Sequence, residues 1–82
     1  MTKQDFESKM LQAKTFHDLG ERPDYHAGYM RGLRRSYHGE NFGTDEEHAK
    51  WLALAEDDQD ETRRERGRGY QDGLQGKNPV MA

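Results

Sequence analysis

Apolar positions in this chain recur at helical spacing. Between residues 3 and 18, Phe6, Met10, Ala13 and His17 fall on one helix face, with Leu11 and Phe16 flanking it. Thr2 is placed to cap that helix with Asp5 at the box position, and Gly20 is placed to end it. A second helix is predicted over 23–38, with Pro23 at its first position and Tyr29, Met30, Leu33 and Tyr37 on its apolar side. "HGENFG" at 38–43 reads as a loop broken by Gly39 and Gly43. The third helix starts at "TDEE", where Thr44 and Glu47 make a capping box, and carries Ala49, Leu52, Ala53 and Ala55 with Trp51 alongside. "EDDQDE" at 56–61 admits two readings. Asp58 caps a fourth helix and Glu61 completes its box, or the run is the solvated middle of one long helix. The last helix reaches about Gln75, Gly76 and Pro79 stop it, and 77–82 is expected to be a disordered tail. With almost no β-branched aliphatic residues, strands are not expected. The pattern predicts one small all-α domain over 1–82, a bundle of three to four helices.

One motif occurs twice. "AGYMRGLRR" at 27–35 and "RGYQDGLQG" at 68–76 share Gly-Tyr-x-x-Gly-Leu at a 41-residue offset. Gly28, Tyr29, Gly32 and Leu33 match Gly69, Tyr70, Gly73 and Leu74, and Arg22 and Asp24 fall against Arg63 and Glu65. A glycine inside a helix costs about 1 kcal/mol relative to alanine, so tight contact must offset it. Glycines four apart leave a shallow groove that another backbone can enter. Gly28, Gly32 and Ser36 extend one such groove, and Gly69, Gly73 and Gly76 the other. Two readings follow: the motif helices cross at these grooves with both tyrosines in the core, or each groove receives an external helix or an RNA backbone.

Composition sharpens this picture. Leu, Ile, Val and Phe make up about 12% of the chain, below the roughly 20% at which disorder becomes a serious alternative. Mean hydropathy is −1.37, yet net charge is only −3, so self-repulsion is small. Eight aromatic residues supply much of the area available for burial. So thin a core predicts a marginal fold that draws on a partner or on a second copy in a homodimer. No cysteine is present, so disulfides, thiolate zinc sites and thiol nucleophiles are excluded. No apolar run reaches membrane-spanning length and the N-terminus lacks a signal-peptide core, which predicts a cytoplasmic protein without a membrane partner.

Charge supplies two candidate surfaces. Arg31, Arg34, Arg35 and His38 cluster on the second helix, and Arg63, Arg64, Arg66, Arg68 and Lys77 along the last. Tyr37 and Tyr70 lie within reach for base stacking, which makes RNA one candidate partner. The opposing reading pairs these arginines with the chain's own "DEE" and "EDDQDE". The acidic run itself, Asp57, Asp58, Asp60 and Glu61, is a solvated face or a docking surface for a basic protein. Catalytic and metal chemistry find little here. No His-x-x-x-His pair occurs, Asp45 and His48 are the nearest candidates, and "DDQDE" lacks the glycine of a calcium loop. No nucleophile motif or phosphate loop is present, and a small core leaves little room for a dry pocket. The expectation is a non-enzymatic protein with no cofactor.

The second motif copy also resembles a known family. "RGYQDGLQGK" at 68–77 is similar to the opening helix of ribosome modulation factor, whose pattern Arg68, Gly69, Tyr70, Gly73, Leu74, Gly76 and Lys77 fit. Tyr29 and Gly32 precede Trp51-Leu52 by about that family's distance between its Gly-Tyr and Trp-Leu motifs. The family is strongly basic, whereas this chain is net acidic and has "ALAEDD" where a second aromatic would follow Trp51. The resemblance implies a small helical module that associates with the ribosome. An RNA or ribosome contact would then run through Tyr29, Arg31, Arg34, Arg35, Arg66, Arg68 and Tyr70. The rival expectation is a protein-binding adaptor, or an inhibitor of phage or prophage type, acting through Asp57, Asp58, Asp60 and Glu61.

Overall fold

The computed structural model describes residues 1–57 and 59–79, the Glu40 side chain apart. These residues form α1 (Lys3–Asp18), α2 (Pro23–His38), a 3-10 turn (Gly39–Asn41), α3 (Asp45–Leu54) and α4 (Glu61–Leu74). The protein is an all-α bundle, with no strand among the described residues.

Local chemistry sets the helix ends. Thr2 Oγ1 accepts the Asp5 N–H at 3.1 Å, and Thr44 Oγ1 accepts the Glu47 N–H at 3.1 Å. The chain does break before α4, but the cap is Asp60, whose Oδ1 accepts the Arg63 N–H at 3.1 Å. The expected cap, Asp58, lies outside the described residues. Asp57 accounts for the shift, because its Oδ1 accepts the N–H groups of Gln59 and Asp60, both at 3.0 Å. That grip leaves Asp60 in the extended backbone an N-cap requires.

At the other ends, α1 and α4 finish alike. Gly20 N–H donates to the His17 carbonyl and Glu21 N–H to that of Phe16; Gly76 and Lys77 repeat the pattern onto Gly73 and Asp72. Both glycines have positive φ, 76° and 69°, the left-handed conformation this double bond needs. Gly76 is therefore a helix stop and not part of a packing groove. Ser36 is exposed and contributes nothing to the groove either.

The repeat builds the centre of the fold. A Cβ on Gly28 would collide with the Arg66 carbonyl oxygen, and one on Gly32 with that of Tyr70. Reciprocally, a Cβ on Gly69 would strike the Tyr25 carbonyl and one on Gly73 that of Tyr29. Each glycine thus meets the carbonyl three residues before its counterpart in the other copy. The 41-residue repeat is a local pseudo-twofold, and α2 and α4 run in the same direction with α3 as the return. A further close approach, absent from the motif, sets Gly67 against the backbone of Leu54 and Ala55 at the end of α3.

Around this seam lie the buried side chains Tyr25, His26, Tyr29, Leu33 and Tyr70, with Ala13 from α1. The tyrosine hydroxyls among them are tied to neighbouring elements, whereas His26 Nε2 is buried with no hydrogen-bond partner among the described residues. The Tyr25 hydroxyl donates to Asp72 at 2.6 Å and the Tyr29 hydroxyl to the Lys77 carbonyl at 2.6 Å, which anchors the start of the expected tail. Residues 80–82 of that tail lie outside the described residues. His26 Nδ1 faces the carbonyls of Glu21 (2.7 Å) and Arg22 (3.0 Å), so it carries the proton and donates to both. Arg22 itself has a left-handed φ of 46°. Its guanidinium donates to Glu65 at 2.7 Å and lies 4.4 Å from the Tyr25 ring centre, contacts that hold the strained turn into α2.

The outer helices bury far less. α1 packs antiparallel on α2, with Phe6 stacked on Tyr37 at 4.3 Å and Phe16 beside His26 at 5.2 Å. α3 has no buried residue and meets α4 mainly through Trp51, stacked on Tyr70 at 5.6 Å.

Candidate functional site

Both tyrosines expected at an RNA surface belong to the core. Tyr29 is fully buried, and burial, helped by the negative charge of Asp72, pushes its hydroxyl up to about 12. Tyr70 is 2% exposed, shares a 2.6 Å hydrogen bond with His48 Nδ1, and is also raised, chiefly by burial. Neither ring offers a face to a base. They serve the fold instead.

The arginines do not assemble one cationic surface. Arg31 and Arg35 face α3. Arg31 donates to Glu47 at 2.8 Å and lies 5.1 Å from the Trp51 ring centre. Arg35, only 12% exposed, donates to Asp45 at 2.9 Å and to the Phe42 carbonyl at 3.1 Å. Arg66 faces the start of α2 and donates to Asp24 at 3.2 Å, while Arg68 pairs with Glu65 at 3.7 Å. Arg34 alone of the expected set is exposed with no ion pair among the described residues. It points toward α1.

The acidic run is partly spent on structure. Asp57 holds the backbone of Gln59 and Asp60, and those two N–H groups keep its carboxyl below the usual carboxylate range. Asp60 caps α4 and lies 3.9 Å from Arg63. Glu61 is exposed in the first turn of α4, where a negative charge favours the helix dipole. Asp58 lies outside the described residues. Of the four expected docking residues, Glu61 is the one seen free for a partner.

The feature that sequence reasoning missed lies between α1 and α2. Phe6, Met10, Leu11 and Met30 line an open groove of about 700 Å³. Leu11 is 66% exposed. Along the rim, Lys14 and Asp18 pair at 2.9 Å and hold the Asp18 carboxyl low, and Glu7 lies 3.9 Å from Lys3. Arg34 and His38 complete the edge from α2. Periodicity puts Met10 and Met30 on core-facing stripes, but it does not show the open space left between them. Leu11, at the flank of its stripe, was the available signal.

Opposite the groove, the space between α3 and α4 is filled. Arg31, Phe42, Trp51 and Tyr70 leave a gap of only about 10 Å³, room for roughly one water. Among the described residues no group of three or more His, Asp or Glu side chains is arranged to hold a metal ion. The histidines are dispersed: His17 beside Asp18, His26 in the core, His38 against Phe6, and His48 on Tyr70. Among the described residues no helix is long and apolar enough to cross a membrane. Compared with protein-family models, curated proteins and solved structures, the chain matches none.

Proposed function

We propose that this chain is a small non-enzymatic binding module whose working surface is the α1–α2 groove and whose partner is a protein. The observation that carries the reading is the methionine-lined groove itself, with Leu11 exposed at its edge, on a fold whose α3–α4 interface is closed. Methionine surfaces adapt to apolar partners because the side chain is unbranched and polarizable. Two antiparallel helices with an open seam are the receiving half of a helix-in-groove contact.

Of the residues that carry the resemblance to ribosome modulation factor, Gly32, Gly69 and Gly73 knit α2 to α4, and Trp51 stacks on Tyr70. They support a shared way of packing helices. An RNA or ribosome contact would have to use Arg34 and Arg68 without an aromatic platform from Tyr29 or Tyr70.

A photo-crosslinking residue at Leu11, irradiated in lysate of the source cells with and without nuclease, separates the partners. Protein adducts that resist nuclease and disappear in a Met30→Lys background are expected. Adducts abolished by nuclease, or unaffected by Met30→Lys, would sink the protein-groove reading.

A further inference from the structure

We infer that the occupant of the α1–α2 groove is an amphipathic helix carrying carboxylates beside its apolar stripe. This rests on the groove being the binding surface and goes on to specify what fills it. The lining offers Phe6, Met10, Leu11 and Met30, and each flanking helix has 16 residues, about 24 Å of length. An extended strand would find no sheet edge here to satisfy its backbone groups. A helix satisfies its own and needs only an apolar face.

Charge decides the sign. On the α1 rim Asp18 has Lys14 at 2.9 Å, while Glu7 lies 3.9 Å from the exposed Lys3, a pair that screens it only weakly. Arg34 has no such partner among the described residues, and His38 beside it meets the aromatic edge of Phe6 and no carboxylate. The groove therefore presents one uncompensated cation on its α2 side. A helix bringing glutamates there gains a complementary pair. One bringing lysines meets Arg34 with like charge, and like-charge juxtaposition excludes partners more strongly than a rim pair attracts them.

The test uses the full chain and two synthetic 18-residue helices. Both carry leucines at i, i+3, i+4 and i+7; glutamates flank the stripe in one and lysines in the other. Affinity is read by fluorescence anisotropy of the labelled peptide, and location by the methyl shifts of Met10 and Met30. The acidic helix should bind at least about fivefold more tightly at low salt, with shifts centred on those methyls. That preference should shrink as salt rises. Arg34→Gln should level the two peptides and Arg34→Glu should invert their order. Arg34 is exposed, so neither change threatens the fold.

Equal binding, tighter binding of the lysine helix, or a ranking untouched by Arg34→Glu overturns the inference while leaving the groove as a docking site. No binding of either helix also overturns it, and the Leu11 crosslink then judges the groove separately. Shifts confined to a different surface overturn the groove and its occupant together.

Discussion

Tyr29 and Tyr70 occupy matching positions of the repeat, yet the helices laid over them differ. On the Tyr70 side α3 brings Trp51 and His48, the loop before it brings Phe42 beneath the Arg31 guanidinium, and the interface closes. Over Tyr29, α1 contributes Ala13 to the core and leaves Met10, Met30 and Leu11 around open space. A pseudo-twofold at backbone level thus supports two unlike faces, one sealed by aromatic rings and one left adaptable. The seam supplies rigidity to both. What differs is whether the chain provides its own third layer.

The sharpest way to break this comparison is to strike the shared seam. Gly69→Ala puts a methyl against the Tyr25 carbonyl and the Tyr29 N–H, backbone atoms that cannot rotate away. Helix propensity alone would make the change stabilising by about 1 kcal/mol. Overpacking should reverse that sign and cost about 3 kcal/mol, a large share of the stability of a domain this size. Gly73→Ala, against the Tyr29 carbonyl, should behave the same way. Urea denaturation measures both, and a gain in stability from either would mean the helices are not in backbone contact.

Legibility follows the same division. The glycine pairs and the Thr2 and Thr44 caps were readable because each rests on local spacing: i to i+4 between glycines, i to i+3 from Thr44 to Glu47. The groove was not readable, since it depends on how the side chains of α1 and α2 meet, a tertiary quantity that periodicity does not encode. Tyr29 and Tyr70 were ambiguous for a different reason. An aromatic beside a helix glycine serves a core or a ligand equally well until the facing helix is known. Gly67 escaped notice because its close neighbour, the Leu54–Ala55 backbone, belongs to a helix end outside the motif. Of the two readings of residues 56–61 the break is the one found, with its cap at Asp60, because the Gln59 and Asp60 amides donate to Asp57.

A second prediction uses pH to weigh the Tyr29 side. Its hydroxyl is raised from 10.0 to about 12 in the folded chain, by burial first and by Asp72 second. The folded state therefore holds this proton where the unfolded state releases it. The stability tied to neutral Tyr29 is complete below pH 10 and is lost as pH rises toward 12, at up to about 1.4 kcal/mol per pH unit. Tyr70, raised in the same direction, adds to the loss. Urea midpoints between pH 8 and 11.5 should fall, and Tyr29→Phe should flatten part of that fall. An identical slope in the Phe variant would show that the hydroxyl is not buried as described.

The smallest expected effect tests the sealed side. Tyr70→Phe keeps the ring under Trp51 and removes only the hydroxyl that meets His48 at 2.6 Å. His48 is half-buried, so water can replace the lost partner, and the cost should be about 0.5–1 kcal/mol. Its location matters more than its size. α3 buries no residue and is held by this bond, the Trp51 stack, the Arg31–Glu47 and Arg35–Asp45 pairs, and the Gly67 contact at its C-terminal end. Loosening one tie should therefore speed amide exchange across Asp45–Leu54 while exchange in the α2–α4 seam slows or speeds only with global stability. Exchange that rises equally in α3 and the seam would mean α3 opens only with the whole fold. In that case the sealed face would belong to the same cooperative unit as the glycine seam, and α1, with its open groove, would be the more separable layer.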